Sequence, residues 1–384
     1  MECDLIFVSM ENWDEIWRRN QFVCAELVRR HPKIKLLFVG VQRNLWRYLA
    51  RGRVGPLLRE AHYTVPGIPQ ISVLRPLRVG LERYHRGRQL NGSITRRHVK
   101  RLQRSLSLRR PVLWINPHSA VNLVGQCDEA AVIYDITDDW ISSSQSPQAA
   151  DVVRQQDAEL CNHADAVIVC SQRLFDMKRR MASSLHLIPN GVDAEHYRAV
   201  LGGNGPLPEA AAGWTKPVFG YTGSVHPDRV DVELVREFAR RIKGTVVLLG
   251  PDMLTPQDKA RLALPNVVVF GAVPYHDLPQ YMRAFDVCIV PHRMTPFTES
   301  LNPIKLWEYL AAGKPIVSTD VAGFRDYPQF VRLARNVDEF VTAADRALNE
   351  DPNLPIARQA EARKHSWTRR VDDIERVIDE AIQR

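Results

Sequence analysis

Short, uninterrupted apolar runs alternate along this chain with stretches in which apolar residues recur every three or four positions. In the first half the runs are DLIFVSM (4–10), KIKLLFVG (33–40), QISVL (70–74), PVLWINP (111–117), AVIYDIT (131–137), DAVIVCS (165–171) and LHLIPNG (185–191). Helical spacing lies between most of them, for instance over 14–30, 95–108, 148–163 and 172–182. A strand that is apolar at every position must be covered on both faces, the condition of a parallel sheet flanked by helices. The pattern therefore predicts a doubly wound α/β unit.

The texture breaks at 200–216, VLGGNGPLPEAAAGWTK, which is rich in Gly, Pro and Ala and has no period. Such a stretch is expected to link domains. A second series follows: PVFGYTGS (217–224), TVVLLGP (245–251), NVVVFGAV (266–273), DVCIVPH (286–292) and PIVSTDV (315–321), with helical spacing over 231–243, 275–285, 303–312 and 337–349. The expected layout is a Rossmann-like domain over 1–199, a linker over 200–216 and a second Rossmann-like domain over 217–365. A helix over 366–384 is expected to return to the first domain. Ligands of such sheets bind beyond the carboxyl ends of the strands, so two facing sheets would share one cleft.

Within the second series, ESLNPIKLWEYLAAGKP (299–315) poses an electrostatic question. Asn302 reads as an N-cap, Pro303 as N1, Lys305 as N3 and Gly313 as the residue that ends the helix. A cation in a first turn opposes the helix dipole at a cost of about 0.3–1 kcal/mol. That cost disappears if an anion sits on the helix N-terminus, where exposed N–H groups and the lysine attract it together. Lys305 and Glu308 are three residues apart and share a face; a solvated lysine paired with that glutamate is the alternative.

The segment PHRMTPFTESLNPIKLWEYLAAGKPIVST (291–319) resembles the donor-nucleotide motif of GT-B glycosyltransferases, in particular the family-4-like group and its bacterial polysaccharide and teichuronic-acid-type branch. VFGYTGSVHPDRVDVELV (218–235), VVLLGP (246–251), VVFGAVPYHDLPQYMRAFDVCIVP (268–291) and the terminal HSWTRRVDDIERVIDEAI (365–382) are similar to other parts of that family in order and spacing. The resemblance covers nearly all of 217–384 and is weaker in the first half, where it rests on WDEIWRRNQ and YDITDDW.

It implies a nucleotide-sugar donor. Glu308 would accept hydrogen bonds from the ribose, and Lys305 with backbone N–H groups near Asn302 and Ile304 would hold the diphosphate. Gly223 and Ser224 would allow close approach, Arg229 would add a second cation, and Val273 and Tyr275 would lie by the base; simple packing is the alternative for these two. The family's E-x7-E spacing places its first acid at Ser300, whereas the acid present is Glu299.

In the first half, YDITDDW (134–140) sets Asp138 and Asp139 at the carboxyl end of a buried strand, where one carboxylate is a candidate general base and the other a cap or loop acid. His118, in WINPHSA (114–120), is a candidate near the donor sugar or an incidental loop histidine. SMENWDEIWRRNQF (9–22) follows the first strand without a glycine, against the G-x-G-x-x-G of dinucleotide folds. There Asp14 is a candidate cap. Trp17 is expected against the core, with Trp13, Arg18 and Arg19 toward a ligand or solvated.

Composition adds a partner class. The formal net charge of this 384-residue chain is +8, and residues 75–110 hold twelve Arg and Lys against the single acid Glu82. Ile94, Val99, Leu102 and Leu106 follow near-helical spacing among those bases. An anionic membrane surface or a lipid-phosphate acceptor suits such a helix, as does plain solvation; no aromatic platform supports nucleic acid. The six cysteines show no C-x-x-C pair and read as reduced, and MECDLIFVSM lacks a basic leader, so a cytoplasmic setting, in part at the inner membrane face, is expected.

The function expected is metal-independent, cofactor-free glycosyl transfer from a nucleotide sugar to a sugar, lipid-linked or small-molecule acceptor. A nucleotide-sugar 2-epimerase and a non-catalytic nucleotide-binding subunit remain as alternatives.

Overall fold

The computed structural model describes residues 3–52, 61–142, 146–203 and 205–384. It divides into a first unit of Met1–Ile141, Gln145–Pro189 and Arg370–Arg384, and a second of Ser142–Ser144 and Asn190–Arg369. Both units are α/β, and each carries one main sheet.

The first unit contains β1 (Leu5–Val8), β2 (Leu36–Val39), β3 (Arg43–Asn44), β4 (His62–Val65), β5 (Ile68–Leu74), β6 (Leu77–Arg78), β7 (Val112–Ile115), β8 (Ala131–Ile136), β9 (Ala166–Val169) and β10 (Leu185–Leu187). The main sheet runs β10-β9-β8-β7-β1-β2-β5-β4, and β3 pairs with β6 apart from it. All its neighbours are parallel except β4 and β5, a hairpin turned at Pro66-Gly67 that the apolar run at 70–74 does not foretell.

The apolar runs are continuous because both faces are covered. On one face Phe7 stacks with Phe38 at 5.7 Å and lies tilted to Trp114 at 5.1 Å. On the other, Ile6, Leu37, Leu113 and Val132 join a core with Val99 and Leu160. Helix His85–Ser105 begins ten residues earlier than its apolar spacing indicates. Its Val99, Leu102 and Leu106 pack into this core, so the apolar stripe that an interfacial helix would lend to lipid is already covered; Arg97, Arg101 and Arg104 stay exposed.

Helix Arg19–Arg30 starts five residues later than expected, with Arg18 rather than Asp14 in the cap position. Arg19 is neither solvated nor presented to a ligand. It is buried against Asp135 of β8 (3.2 and 3.3 Å) and donates to Pro189 O at 3.2 Å. Arg18 pairs with Asp14 and Glu11, while Trp13 packs edge-on to Phe38 and to Trp17. Asn20, Ser9 and Asn116 complete a buried polar set. A buried cation must be met by an anion, and β8 supplies it.

The second unit contains β11 (Val218–Thr222), β12 (Thr245–Leu249), β13 (Val267–Gly271), β14 (Val287–Val290), β15 (Ile316–Thr319) and β16 (Val331–Ala334), all parallel, in the order β13-β12-β11-β14-β15-β16. Residues 190–199 lie with this unit and not with the first, because Tyr197 is fully buried among Leu306, Tyr309 and Leu310. Nor is 200–216 a linker. Ala211 is buried, and Trp214 packs on Phe270, Tyr281 and Phe285. Its Gly and Pro content marks irregular backbone, not independence from the core.

The last helix, Trp367–Gln383, joins the first unit from Arg370 onward. There Arg30 binds Asp372 (2.7 Å) and Glu375 (2.9 Å).

Removing one partner of a buried ion pair strands the other charge, typically at about 3–5 kcal/mol. Asp135→Ala is expected to lower the thermal midpoint strongly, whereas Asp14→Ala, at an exposed pair, should shift it little. Thermal unfolding followed by circular dichroism checks both.

Candidate functional site

The site is built at the carboxyl end of β11, as expected for a ligand of this sheet type. Helix Ile304–Ala311 faces that end, and its first turn carries no side-chain cap. Pro303 stands at the cap position and Lys305 at N2, one position earlier than the sequence indicates. Asn302 does not cap the helix. Its Oδ1 accepts from Asn190 N at 2.9 Å, and its carbonyl accepts from Asn190 Nδ2 at 2.6 Å. Asn302 thereby fastens the approach to the helix and is not available to cap it.

Tyr309 sets the helix register. Its hydroxyl accepts from Thr222 N at 2.8 Å and meets Thr222 Oγ1 at 3.2 Å. The next residue, Gly223, lies under Lys305 with φ +129°, and a Cβ there would collide with the lysine side chain. Only glycine accepts both the conformation and the clearance. Lys305 Nζ sits 5.7 Å from the centre of the Tyr221 ring.

Two cations act at one place. Burial, then Lys305 and Arg229, push the His292 imidazole well below its ordinary range, so this fully buried ring is neutral. His292 Nε2 meets Tyr221 Oη at 3.2 Å, and Tyr221 Oη donates to Ser224 O at 3.3 Å. Arg229 lies 5.4 Å from the Phe297 ring centre. Gly223, Ser224, Arg229 and Lys305 are thus gathered by Tyr221 and His292.

Glu308 lies one turn past Lys305. Tyr197 Oη donates to its Oε1 at 3.0 Å. Burial lifts the carboxyl above its ordinary value, while Lys305 and the Tyr197 hydrogen bond pull it the other way. Tyr275 stacks on His196 at 4.0 Å and stands edge-on to Tyr197 at 6.2 Å, and Val273 packs against the same core. These aromatic rings form a wall beside Glu308. From the terminal HSW segment, His365 stacks on Trp307 of the Lys305 helix at 3.9 Å.

Glu299 stands apart from this group. Arg325 holds it with two bonds, at 2.8 and 3.1 Å, and also binds Asp320 at 2.9 Å. Ser300, where the family spacing would put an acid, is buried with its Oγ on Phe297 O at 2.7 Å.

In the first unit, Asp138 is half-buried and Asp139 buried just beyond β8. His118 opens the short 3-10 helix His118–Leu123. Burial pushes its imidazole down, and the charge acting on it is Asp157. Asp157 is itself buried, with Lys178 and, at 2.9 Å, Tyr134 Oη. Among the described residues, no group of three His, Cys, Asp or Glu forms a candidate metal set. Nor is any described helix long and apolar enough to cross a membrane.

Residues 216–350 match the family model for glycosyl transferases group 1. The chain is 27% identical over 258 residues to a Bacillus subtilis (strain 168) protein, TuaH, named for a glycosyltransferase role in teichuronic acid biosynthesis. That match covers 62% of this chain and 64% of the relative, so the chain spans less than two thirds of the relative's length.

Solved structures agree in fold. Sucrose-phosphate synthase from Thermosynechococcus elongatus superposes with a TM-score of 0.72 at 15% identity, covering 98% of both chains. Anabaena Alr3699/HepE in complex with UDP-glucose gives 0.67 at 17%, covering 98% of this chain and 99% of that one. The catalytic domain of starch synthase IV from Arabidopsis thaliana, bound to ADP and acarbose, gives 0.67 at 11% with full coverage of both chains. The fold is GT-B, two Rossmann-like units, and the family match falls on the segment that carries the Lys305 motif.

Tyr197, His292 and Asn190 escape the sequence reading. Tyr197 and Asn190 fall before the supposed linker, and His292 closes a strand with no pattern of its own. IPNGVD (188–193) carries an Asn-Gly turn signal that marks the true start of the second unit.

Glu308→Gln keeps the shape and the Tyr197 contact but removes a desolvated charge. A carboxyl raised in the folded state binds more protons there than in the unfolded chain, so stability falls as pH rises from the ordinary value of 4.5 through the raised one. The variant is expected to lose that part of the pH dependence and to be at least as stable as the parent at neutral pH. Urea unfolding across pH measures it.

Proposed function

We propose that the chain transfers a glycosyl group from a nucleotide sugar, held by the second unit, to an acceptor hydroxyl presented by the first. The observation that carries this reading is the convergence of Gly223, Lys305, Arg229 and Glu308 at the end of β11. The UDP-glucose bound by HepE and the group 1 match over 216–350 support it. The relative's name supports a polysaccharide or its precursor as the acceptor class.

In this mechanism the departing nucleoside diphosphate is stabilised by Lys305, Arg229 and the first turn of the helix. Those groups supply the charge that a metal would otherwise bring, so no metal is required. Glu308, ionised, accepts from the two ribose hydroxyls, and Tyr197 holds one of its oxygens in place. The Tyr275 wall lies where a base would rest. Asp139 or Asp138 serves as the general base toward the acceptor hydroxyl, with His118 a further candidate near the donor sugar. Glu299, occupied by Arg325, is the weakest of the donor assignments. The exposed arginine face of helix His85–Ser105 is the part of the chain we place toward an anionic membrane surface at the cytoplasmic side.

Losing one charge-assisted hydrogen bond to the nucleotide, whether at its diphosphate or its ribose, weakens binding by about tenfold or more. Lys305→Ala and Glu308→Ala are each expected to weaken UDP or GDP binding by that factor in calorimetric titration. Unchanged affinity in both would remove the donor assignment. Binding should also weaken as pH falls through the raised Glu308 value, because the protonated carboxyl is a weaker, uncharged acceptor, and Glu308→Gln should flatten that profile. Transfer from a labelled nucleotide sugar should persist in EDTA; loss in EDTA with recovery on adding manganese would overturn metal independence.

A further inference from the structure

His292 lies just past β14 and is only 3% exposed. Its backbone is fixed from two sides. Val230 and His292 form an antiparallel bridge, within which Arg293 N donates to Arg229 O at 2.7 Å and Asp231 N to Pro291 O at 2.8 Å. On the other side Thr319 Oγ1, at the end of β15, donates to His292 O at 2.8 Å. The ring therefore starts from a fixed point, and Arg229 is tied by its backbone to the same segment.

The His292 side chain reaches back to β11. Its Nε2 meets Tyr221 Oη at 3.2 Å, and Tyr221 Oη donates to Ser224 O at 3.3 Å. Burial pushes the Tyr221 hydroxyl above its ordinary range, so it keeps its proton. A phenol has one hydrogen to give. With that hydrogen spent on Ser224 O, the one between Tyr221 and His292 comes from Nε2. Burial, Lys305 and Arg229 keep the imidazole neutral, so the ring carries a single hydrogen, and its partner places it on Nε2. The order is His292 Nε2–H to Tyr221 Oη–H to Ser224 O.

This relay ends where the donor diphosphate is expected. Gly223 N donates to Leu249 O at 2.8 Å and Val225 N to Pro251 O at 2.9 Å, so the segment is fastened to β12 and the stretch that follows it. Ser224 O, taken by Tyr221, fastens it on a second side. The same Tyr221 ring lies 5.7 Å from Lys305 Nζ, within reach of a cation–π attraction. Tyr221 thus steadies two of the groups assigned to the diphosphate, and His292 sets the direction of its hydroxyl.

We propose that His292 is a positioning residue for the donor diphosphate, acting through the Tyr221 hydroxyl on the Gly223–Ser224 segment. The inference rests on the transferase reading given above, because the ligand it positions is the nucleotide of that reading. Hydrogen-bond donation selects the residue type here. A side chain that donates from the Nε2 position can stand in for histidine, and an apolar one of similar size cannot.

The test compares His292→Leu, His292→Gln and Tyr221→Phe in the full chain, with folding checked by circular dichroism. Calorimetric titration uses UDP or GDP, whichever the parent binds. His292→Leu is expected to weaken that binding about fivefold or more, the effect of losing one buried hydrogen bond. Tyr221→Phe keeps the ring beside Lys305 and breaks the same relay, so it should match His292→Leu. His292→Gln should recover most of the affinity. The matching nucleoside, which has no phosphate, should bind all three variants as it binds the parent. A histidine with a structural role alone would lower the thermal midpoint and leave the affinity of the folded variants unchanged, and that result would overturn the proposal. Equal weakening in the Leu and Gln variants, or equal loss for nucleoside and diphosphate, would overturn it too. Should His292→Leu not fold, Tyr221→Phe decides by the same criteria.

Nitrogen-15 NMR of histidine-labelled protein reads the relay directly, with the His292 signals assigned by their loss in His292→Gln. A neutral ring protonated on Nε2 is expected; a proton on Nδ1, or on both nitrogens, would overturn the relay. A parent that binds neither nucleotide removes the donor reading and this inference with it. A parent that binds one, with His292→Leu and Tyr221→Phe binding it equally well, removes this inference alone.

Discussion

At the end of β11 the backbone passes directly beneath the side chain of Lys305, and residue 223 takes a left-handed φ of +129° where a Cβ would meet the end of that side chain. The Tyr309 hydroxyl, bonded to Thr222 N, holds the helix at that height. From this one fit the rest of the second-unit site follows. The first turn of the helix is aimed at the strand end, Lys305 joins Arg229 around His292, and Glu308 is carried one turn deeper beside Tyr197. A side chain at 223 would turn the Lys305 ammonium aside and would need a backbone conformation that glycine enters most readily.

The molecule handles its buried charges in two ways. Arg19 with Asp135, and Asp157 with Lys178, are opposite charges in contact, and each pair satisfies itself. Such pairs contribute little net stability but fix which strand and helix may meet. At the end of β11 two cations, Lys305 and Arg229, act on the one buried imidazole of His292.

Much of the fold was legible in the chain because a strand covered on both faces is apolar throughout, and this code does not depend on distant residues. The Lys305 helix was legible too, since a cation in a first turn is anomalous within four residues of sequence. The boundary was not. Gly and Pro in 200–216 report local backbone, whereas the burial of Tyr197 and Trp214 depends on rings far along the chain, such as Tyr309 and Phe270. Arg19 looked like a surface or ligand arginine because its partner, Asp135, is 116 residues distant.

By itself, then, the sequence determined two α/β units, an anion-seeking helix start at Lys305 and an excess of positive charge. Those properties come from periodicity and composition over short windows. Tertiary structure decided which polar groups meet: Asn302 tied to Asn190, Glu299 taken by Arg325, and Arg19 set against Asp135. Electrostatic interaction depends on separation in space, and the spacing of residues along a chain does not give that separation until the strands are paired.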